Sequence, residues 1–243
     1  MKPAEYDRMY QAEERQWWYA GMRAISSAIL VRELGSAVRV RVLDAGCGTG
    51  HNLTWLGRFG CAFGIDLAER ATELSNRRGV AVVRGDLARL PFSDETFDVV
   101  TSFDVLYHQW VVDDAAAVRE LVRTVRPGGL LLVRVPALQW LWGAHDQEVL
   151  SRHRYTRREL AGLLSLCGLC DVRATYVNAL LFPVVALRRA FDRWSGREGS
   201  DVQFLPAPLE WLFRRALSAE SWWLRHSRLP IGSSVMAWGR RAH

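Results

Sequence analysis

The sequence has one lysine, Lys2, among 32 basic residues, only four cysteines, and no long uninterrupted apolar run. Four cysteines are too few for a disulfide scaffold, and a reducing compartment keeps thiols free. Cys167 and Cys170 form a CxxC at a helix end, where a thioredoxin-type pair would open a helix instead. No second pair completes a zinc site, so no metal is expected. No phosphate-binding lysine of the P-loop type follows the glycine-rich turn. The first residues carry early acids and no apolar stretch, which argues against a signal or transit peptide and for a cytoplasmic protein. The run YVNALLFPVVAL is apolar, but Asn178 and Pro183 interrupt it and it is too short to span a bilayer.

What is present is a chain of 243 residues, 49% apolar and 24% charged, enough for one domain with a full core. The formal net charge is +6, and residues 188–243 hold ten arginines against five acids. That basic quarter suits an acidic substrate, a phospholipid surface or nucleic acid, or is simply a solvated arginine-rich surface. From residue 38 onward, β-branched runs alternate with amphipathic stretches, which predicts an α/β fold with a doubly wound, seven-stranded, mostly parallel sheet. Strands are expected at 39–44, 61–66, 80–84, 97–103, 129–135, 170–177 and 233–240. Helices are expected at 50–58, 68–78, 114–125 and 156–167, and Arg126–Gly129 should turn the chain into the fifth strand. Residues 1–36 read as an N-terminal helical cap. Residues 37–177 and 233–243 form the core, and 178–232 a helical insertion carrying four of the eleven tryptophans, long enough to build a cap or an interface.

Three acids, Asp44, Asp66 and Asp86, each follow an apolar strand: RVLDAGCG, CAFGIDLA and AVVRGDLA. In a doubly wound sheet they fall on one rim, where ligands bind. An acid at the head of the glycine turn disfavours a phosphate and favours a cation. Asp66 stands where a carboxylate takes a ribose diol, which also fits NAD. However, Gly46, Gly48 and Gly50 are followed by His51 where G-x-G-x-x-G needs a glycine. Together these acids describe a nucleoside with a positively charged arm.

On VLDAGCGTG, GIDLA, GDLARLPFSDETFDVVTSFDVLYH and the RPGG before LLLVRVP, the chain resembles the class I, Rossmann-like S-adenosylmethionine-dependent methyltransferases over roughly residues 38–177. The resemblance implies S-adenosylmethionine as cofactor. It places Asp44, Ala45 and the backbone of Gly46, Cys47, Gly48 and Gly50 against the methionine arm, Asp66 and Leu67 at the ribose, Asp86 and Leu87 at the adenine, and Phe103 beside the sulfonium. A sulfonium is poorly hydrated, so carboxylates, carbonyls and aromatic faces suit it.

The acceptor side is read from the loop PALQWLWGAHDQEVLSRHRYTRREL and from DVLYHQW. His145 and His108 are candidate general bases, with Tyr155 as a third catalytic candidate. Tyr10, Trp18, Tyr107, Trp142, Asp146 and Arg154 are candidate substrate contacts, although Asp146 and Arg154 read equally well as loop fasteners and the tryptophans as packing residues. RQWWYAGMR resembles an N-terminal element that closes over the cofactor in a bacterial branch of these enzymes. SFDVLYH replaces the Asn/Asp-Pro-Pro-aromatic sequence of enzymes acting on base or glutamine amines, which disfavours nucleic acid as a partner. The expected activity is therefore O-, N- or C-methylation of a small aromatic or hydrophobic metabolite. Two alternatives are open: a glycolipid or lipid-linked sugar met at a membrane surface through peripheral contact, and a non-catalytic cofactor-binding module or partner subunit. The oligomer is left open between monomer and homodimer.

Overall fold

The computed structural model describes residues 3–35, 39–195 and 205–242. Two helices, α1 (Pro3–Ala12) and α2 (Trp17–Leu34), precede the sheet, so the expected N-terminal helical stretch is broken at residues 13–16. The expected boundary between cap and core at residues 36 and 37 lies outside the described residues.

The core then alternates β1 (Val40–Ala45), α3 (His51–Leu56), β2 (Gly60–Asp66), α4 (Glu69–Arg77), β3 (Val82–Arg84), β4 (Phe97–Phe103), α5 (Asp114–Thr124) and β5 (Val125–Pro136). It continues through α6 (Ala144–Glu148), α7 (Arg157–Leu166), β6 (Leu169–Val177), α8 (Phe182–Ser195), α9 (Ala207–Trp223) and β7 (Ser234–Arg241). The seven strands lie in the order β3-β2-β1-β4-β5-β7-β6. Strands β1 to β5 pair in parallel, and β7 runs antiparallel between β5 and β6. The mostly parallel sheet expected from the strand pattern is therefore present.

Local chemistry sets the helix starts. Asp113 caps α5 by accepting from Ala116 N at 3.0 Å. Thr156 and Glu159 form a reciprocal capping box on α7, at 3.2 and 3.3 Å. Two apolar layers hold the helices to the sheet. One contains Leu43, Ile65, Val100, Leu121, Leu131 and Val133, and the other Met22, Ile29, Val42, Val99, Leu132 and Met236. Alternate residues of each central strand serve opposite layers, as a two-faced sheet requires.

The RPGG segment differs from expectation. It lies inside β5, not ahead of it: Phe97 pairs with Val125 and Val99 with Leu130, so the extra residues bulge out of the ladder. Gly128, at φ 72°, absorbs the reversal. Among its described residues the insertion is helical as expected. Helix α9 packs on α2 through buried Leu217 and a T-shaped Trp17–Phe213 contact at 5.1 Å. Glu210 accepts from Trp17 N at 2.8 Å, and buried Glu220 accepts from Asn178 N, Ala179 N and Leu180 N at 2.5, 2.8 and 3.2 Å. Three backbone donors on one carboxylate tie α9 to the chain leading into α8.

Candidate active site

A single cavity of about 520 Å³ runs from the rim formed by β1 and β2, beneath α1 and α2, to α6 and α8. Its first end is built from the glycine turn. Gly46 has φ 81°, and a Cβ there would stand 2.2 Å from Val105 Cγ2. Gly46 N and Cys47 N both donate to Ile65 O, at 2.7 and 3.0 Å, which sews the turn to the end of β2. At that end Asp66 Oδ2 accepts from Gly48 N at 2.8 Å and Oδ1 from Ala68 N at 2.9 Å. Each oxygen keeps a further lone pair for a ligand hydroxyl. Burial pushes the Asp66 carboxyl above the usual range, opposed by the Ala68 and Gly48 amides. Asp86, whose Oδ1 accepts from Ala88 N at 2.9 Å, lines the same end with Leu67, Leu87 and Phe103.

Asp44, Ala45 and Gly50 do not line the cavity. Asp44 is fully buried and accepts from the Thr101 hydroxyl at 2.7 Å. Burial pushes its carboxyl up to about 6, against the lowering pull of the Thr101 hydroxyl and the Asn52 amide. It therefore acts on the cavity through the turn that follows it.

The N-terminal helices supply a wall. Tyr6 and Met9 of α1, Glu13, and Trp17, Trp18 and Tyr19 of α2 line the cavity. Burial raises the Tyr6 phenol, and the Asp66 charge raises it further. Glu13 accepts from the Thr49 hydroxyl and lies 3.1 Å from Arg78. Burial nevertheless pushes its carboxyl up to about 7. Tyr10, an expected contact, falls on the other side of α1. It stacks under the Arg78 guanidinium at 4.2 Å and does not line the cavity, because Tyr6 and Met9 occupy the inward turn.

At the other end Tyr107, His108, His145, Asp146 and Arg154 line the cavity with Trp110, Val111, Asn178, Val185, Arg188 and Arg189. Burial pushes the His108 imidazole down to about 4, against backbone carbonyls of Val149, Leu150 and Asp104 that raise it. His108 is therefore neutral across the physiological range and a weak base. Arg154 grips Asp146 with two bonds, at 2.8 and 3.0 Å, and Asp146 also accepts from Gly143 N at 2.8 Å. The pair fastens the loop while forming part of the wall.

The catalytic candidate Tyr155 and the expected contact Trp142 lie off the cavity wall. Tyr155 is 1% exposed and donates to Asp114 Oδ2 at 2.6 Å, away from the lining, and burial raises its phenol further. Trp142 follows a 3-10 turn at Gln139–Leu141 and is also absent from the lining. Sequence reasoning missed Arg134, which donates to Asp104 Oδ2 at 2.6 and 2.9 Å and lies over the rings of Trp18 and Phe103, at 5.2 and 4.9 Å. A charge inside LLLVRVP, in a strand otherwise apolar, was the available signal. It also missed Asn178, at φ 59°, whose Nδ2 donates to Ser233 Oγ at 2.6 Å.

Residues 43–133 match the family model described as a methyltransferase domain. Over these residues the chain carries a methyltransferase domain, and its sheet has the class I, Rossmann-like fold of S-adenosylmethionine-dependent methyltransferases. It is 39% identical over 108 residues to a demethylmenaquinone methyltransferase of Mycobacterium marinum, a match covering 42% of this chain and 46% of that protein. It is 36% identical over 134 residues to the malonyl-[acyl-carrier protein] O-methyltransferase of Serratia marcescens, covering 53% and 52%. The chain thus spans about half the length of the curated relatives it matches. In fold it resembles a Haloferax volcanii protein solved in complex with the Trm112 methyltransferase activator, with a TM-score of 0.65, 19% identity and coverage of 99% of this chain and 95% of that one.

The cofactor of this methyltransferase family is S-adenosylmethionine. The residues present fit it: a backbone cradle that a Cβ at Gly46 would fill, a carboxylate at the end of β2 with spare acceptor capacity, a second carboxylate at Asp86, and Leu67, Leu87 and Phe103 as apolar walls. Among the described residues no group of histidines, cysteines and acids could hold a metal ion.

Proposed function

We propose that this chain transfers a methyl group from S-adenosylmethionine to a small, largely hydrophobic or aromatic acceptor. The observation that carries the reading is the continuity of the cavity: the cofactor-type end at Asp66 and Asp86 and the histidine-bearing end at His108 and His145 share one space. Bound at the first end, the cofactor supplies an already activated methyl group.

The chain's own work is then positioning. Asp66, Asp86 and the Gly46–Gly48 backbone hold the nucleoside and its arm, with Asp44 stiffening the turn from behind through Thr101. Phe103 and Trp18, clamped by the Arg134–Asp104 pair, form a rigid aromatic wall. Helices α1 and α2 cover the cavity and exclude water, so most of the rate enhancement comes from alignment. A neutral His108 accepts a hydrogen bond from an acceptor hydroxyl or amine and orients it, and His145 takes a proton where the acceptor must lose one. Tyr107, Trp110 and Val111 set the acceptor's apolar fit, in keeping with the demethylmenaquinone named for one relative.

The test is incubation of the purified chain and methyl-labelled S-adenosylmethionine with fractions of a cell extract. Label should appear in a low-molecular-mass organic fraction. Tight cofactor binding with no transfer to any fraction would instead favour a non-catalytic cofactor-binding module.

A further inference from the structure

Helix α8 is inverted relative to an ordinary surface helix. Of its charged residues, Arg189 is buried, Arg188 lines the cavity and Asp192 is half-buried beside it, while Arg193 is exposed and donates to Trp140 O at 2.8 Å. Arg189 is 6% exposed and lies against Gly143, where a Cβ would meet its guanidinium at 2.5 Å, and Arg188 Nε lies 3.6 Å from Asp192. Its apolar residues Val184, Leu187, Phe191 and Trp194 stand outward at 48, 72, 56 and 83% exposure. The spacing of three, four and three residues puts them on one stripe, which Leu180, also exposed, extends. Phe191 and Trp194 have ring centroids 6.0 Å apart, so the far end of the stripe is an aromatic pair. A stripe of this length left open to water marks a surface that something else covers.

Helix α9 shows the same chemistry. Trp211, Leu212, Trp222 and Trp223 are exposed, and Arg214, Arg215, Arg225 and Arg228 stand exposed on or just after the helix. Its two acids are turned inward: Glu210 onto Trp17 N and Leu205 N, Glu220 onto the amides of residues 178–180. The outward faces therefore combine tryptophan, aliphatic side chains and arginine, with the acids of both helices engaged by the protein itself. Two copies meeting through these faces would bring arginines together. An anionic lipid surface supplies the opposite charge, an interfacial layer for tryptophan and a hydrocarbon boundary for the aliphatic stripe. Among the described residues no helix is long and apolar enough to cross a membrane, so the contact is peripheral.

The inner side of α8 gives that contact a purpose. Val185, Arg188 and Arg189, one turn or less from the exposed stripe, line the cavity. We propose that the outward faces of α8 and α9 dock on an anionic lipid bilayer and that the acceptor, a lipid-soluble molecule, enters the cavity from that surface beside α8. The docking stands independently of methyl transfer, whereas the entry route rests on the function proposed above.

Flotation of the full chain with phosphatidylglycerol-rich vesicles, compared with pure phosphatidylcholine vesicles, tests the docking. The chain should float with the anionic vesicles about tenfold more than with the neutral ones, and added salt should weaken the association. The exposed double variant Phe191→Ser, Trp194→Ser should lose about tenfold or more of that binding, with S-adenosylhomocysteine affinity unchanged as the check on its fold. Arg214→Gln with Arg215→Gln should lower binding to anionic vesicles only. The proposal is overturned if the parent chain does not float on anionic vesicles, if the aromatic variant floats as well as the parent, or if sedimentation shows a dimer that the same variant dissociates. A chain that floats but binds no S-adenosylhomocysteine would leave the docking intact and overturn the methyltransferase reading instead.

Discussion

Removing the Asp66 carboxylate tests two roles at once, because its oxygens already hold the backbone that forms the cofactor end. In Asp66→Ala, Gly48 N and Ala68 N lose acceptors at 2.8 and 2.9 Å. The first bond is buried and the second partly buried, so the Ala68 amide can turn to water. With about 1 to 3 kcal/mol for a buried donor left unmade, the loss of stability comes to about 2 to 4 kcal/mol. In a chain of this size each kcal/mol moves Tm by about 2 to 4 °C, so a fall of about 5 to 15 °C is expected by differential scanning fluorimetry. The ligand's diol also loses its acceptor, and a further 1 to 3 kcal/mol weakens S-adenosylhomocysteine binding about 5- to 150-fold by isothermal titration calorimetry. Asp66→Asn separates the two effects: it keeps one carbonyl oxygen, so Tm should fall less while the bidentate acceptor for a diol is lost. An Asn variant whose affinity stays within about twofold of the parent would refute the diol assignment, since that change is well below the cost of one lost charged hydrogen bond.

Other outcomes follow from the same geometry. Gly46→Ala should abolish measurable S-adenosylhomocysteine binding and lower Tm, because the new Cβ meets the β-branched Val105 at 2.2 Å on a backbone at φ 81°. Gly48→Ala should be milder, since its Cβ meets the flexible end of Met9 at 2.7 Å; titration calorimetry on both ranks them. His108 has its folded pKa lowered from 6.5 to about 4, so the stability it permits is complete above 6.5 and is lost as pH falls toward 4. The parent's Tm should therefore drop relative to His108→Phe over that window, and parallel Tm–pH curves would contradict the buried neutral imidazole. Glu220→Ala should orphan three amides and destabilise the chain by about 2 to 5 kcal/mol in urea unfolding. Limited proteolysis should then cut near α8 first, and cleavage elsewhere would refute the clamp.

Much of the architecture was legible because its causes are local. The apolar runs ending at Asp44 and Asp66, the turn after each and the amphipathic stretches between them reflect alternation and capping that act over a few residues. The observed strands accordingly fall within a few residues of those expected. The RPGG segment misled because a proline-glycine cluster signals a reversal without saying whether the ladder resumes on either side of it. Here Val125 still pairs with Phe97 before the bulge.

The sequence by itself determined the strand-end acids, the glycine turn and the helical nature of the insertion, all set by residue chemistry over short spans. Only the tertiary structure decided which side chains share the cavity. Helix rotation sent Tyr10 to Arg78 and Tyr6 to Asp66, a part-buried hydrogen bond drew Tyr155 to Asp114, and strand pairing brought Arg134 beside Phe103, over the ring of Trp18. It also decided that the apolar stripe of α8 faces outward. Amphipathic periodicity fixes that a helix has two faces, but the charges it meets on packing fix which of them is turned in.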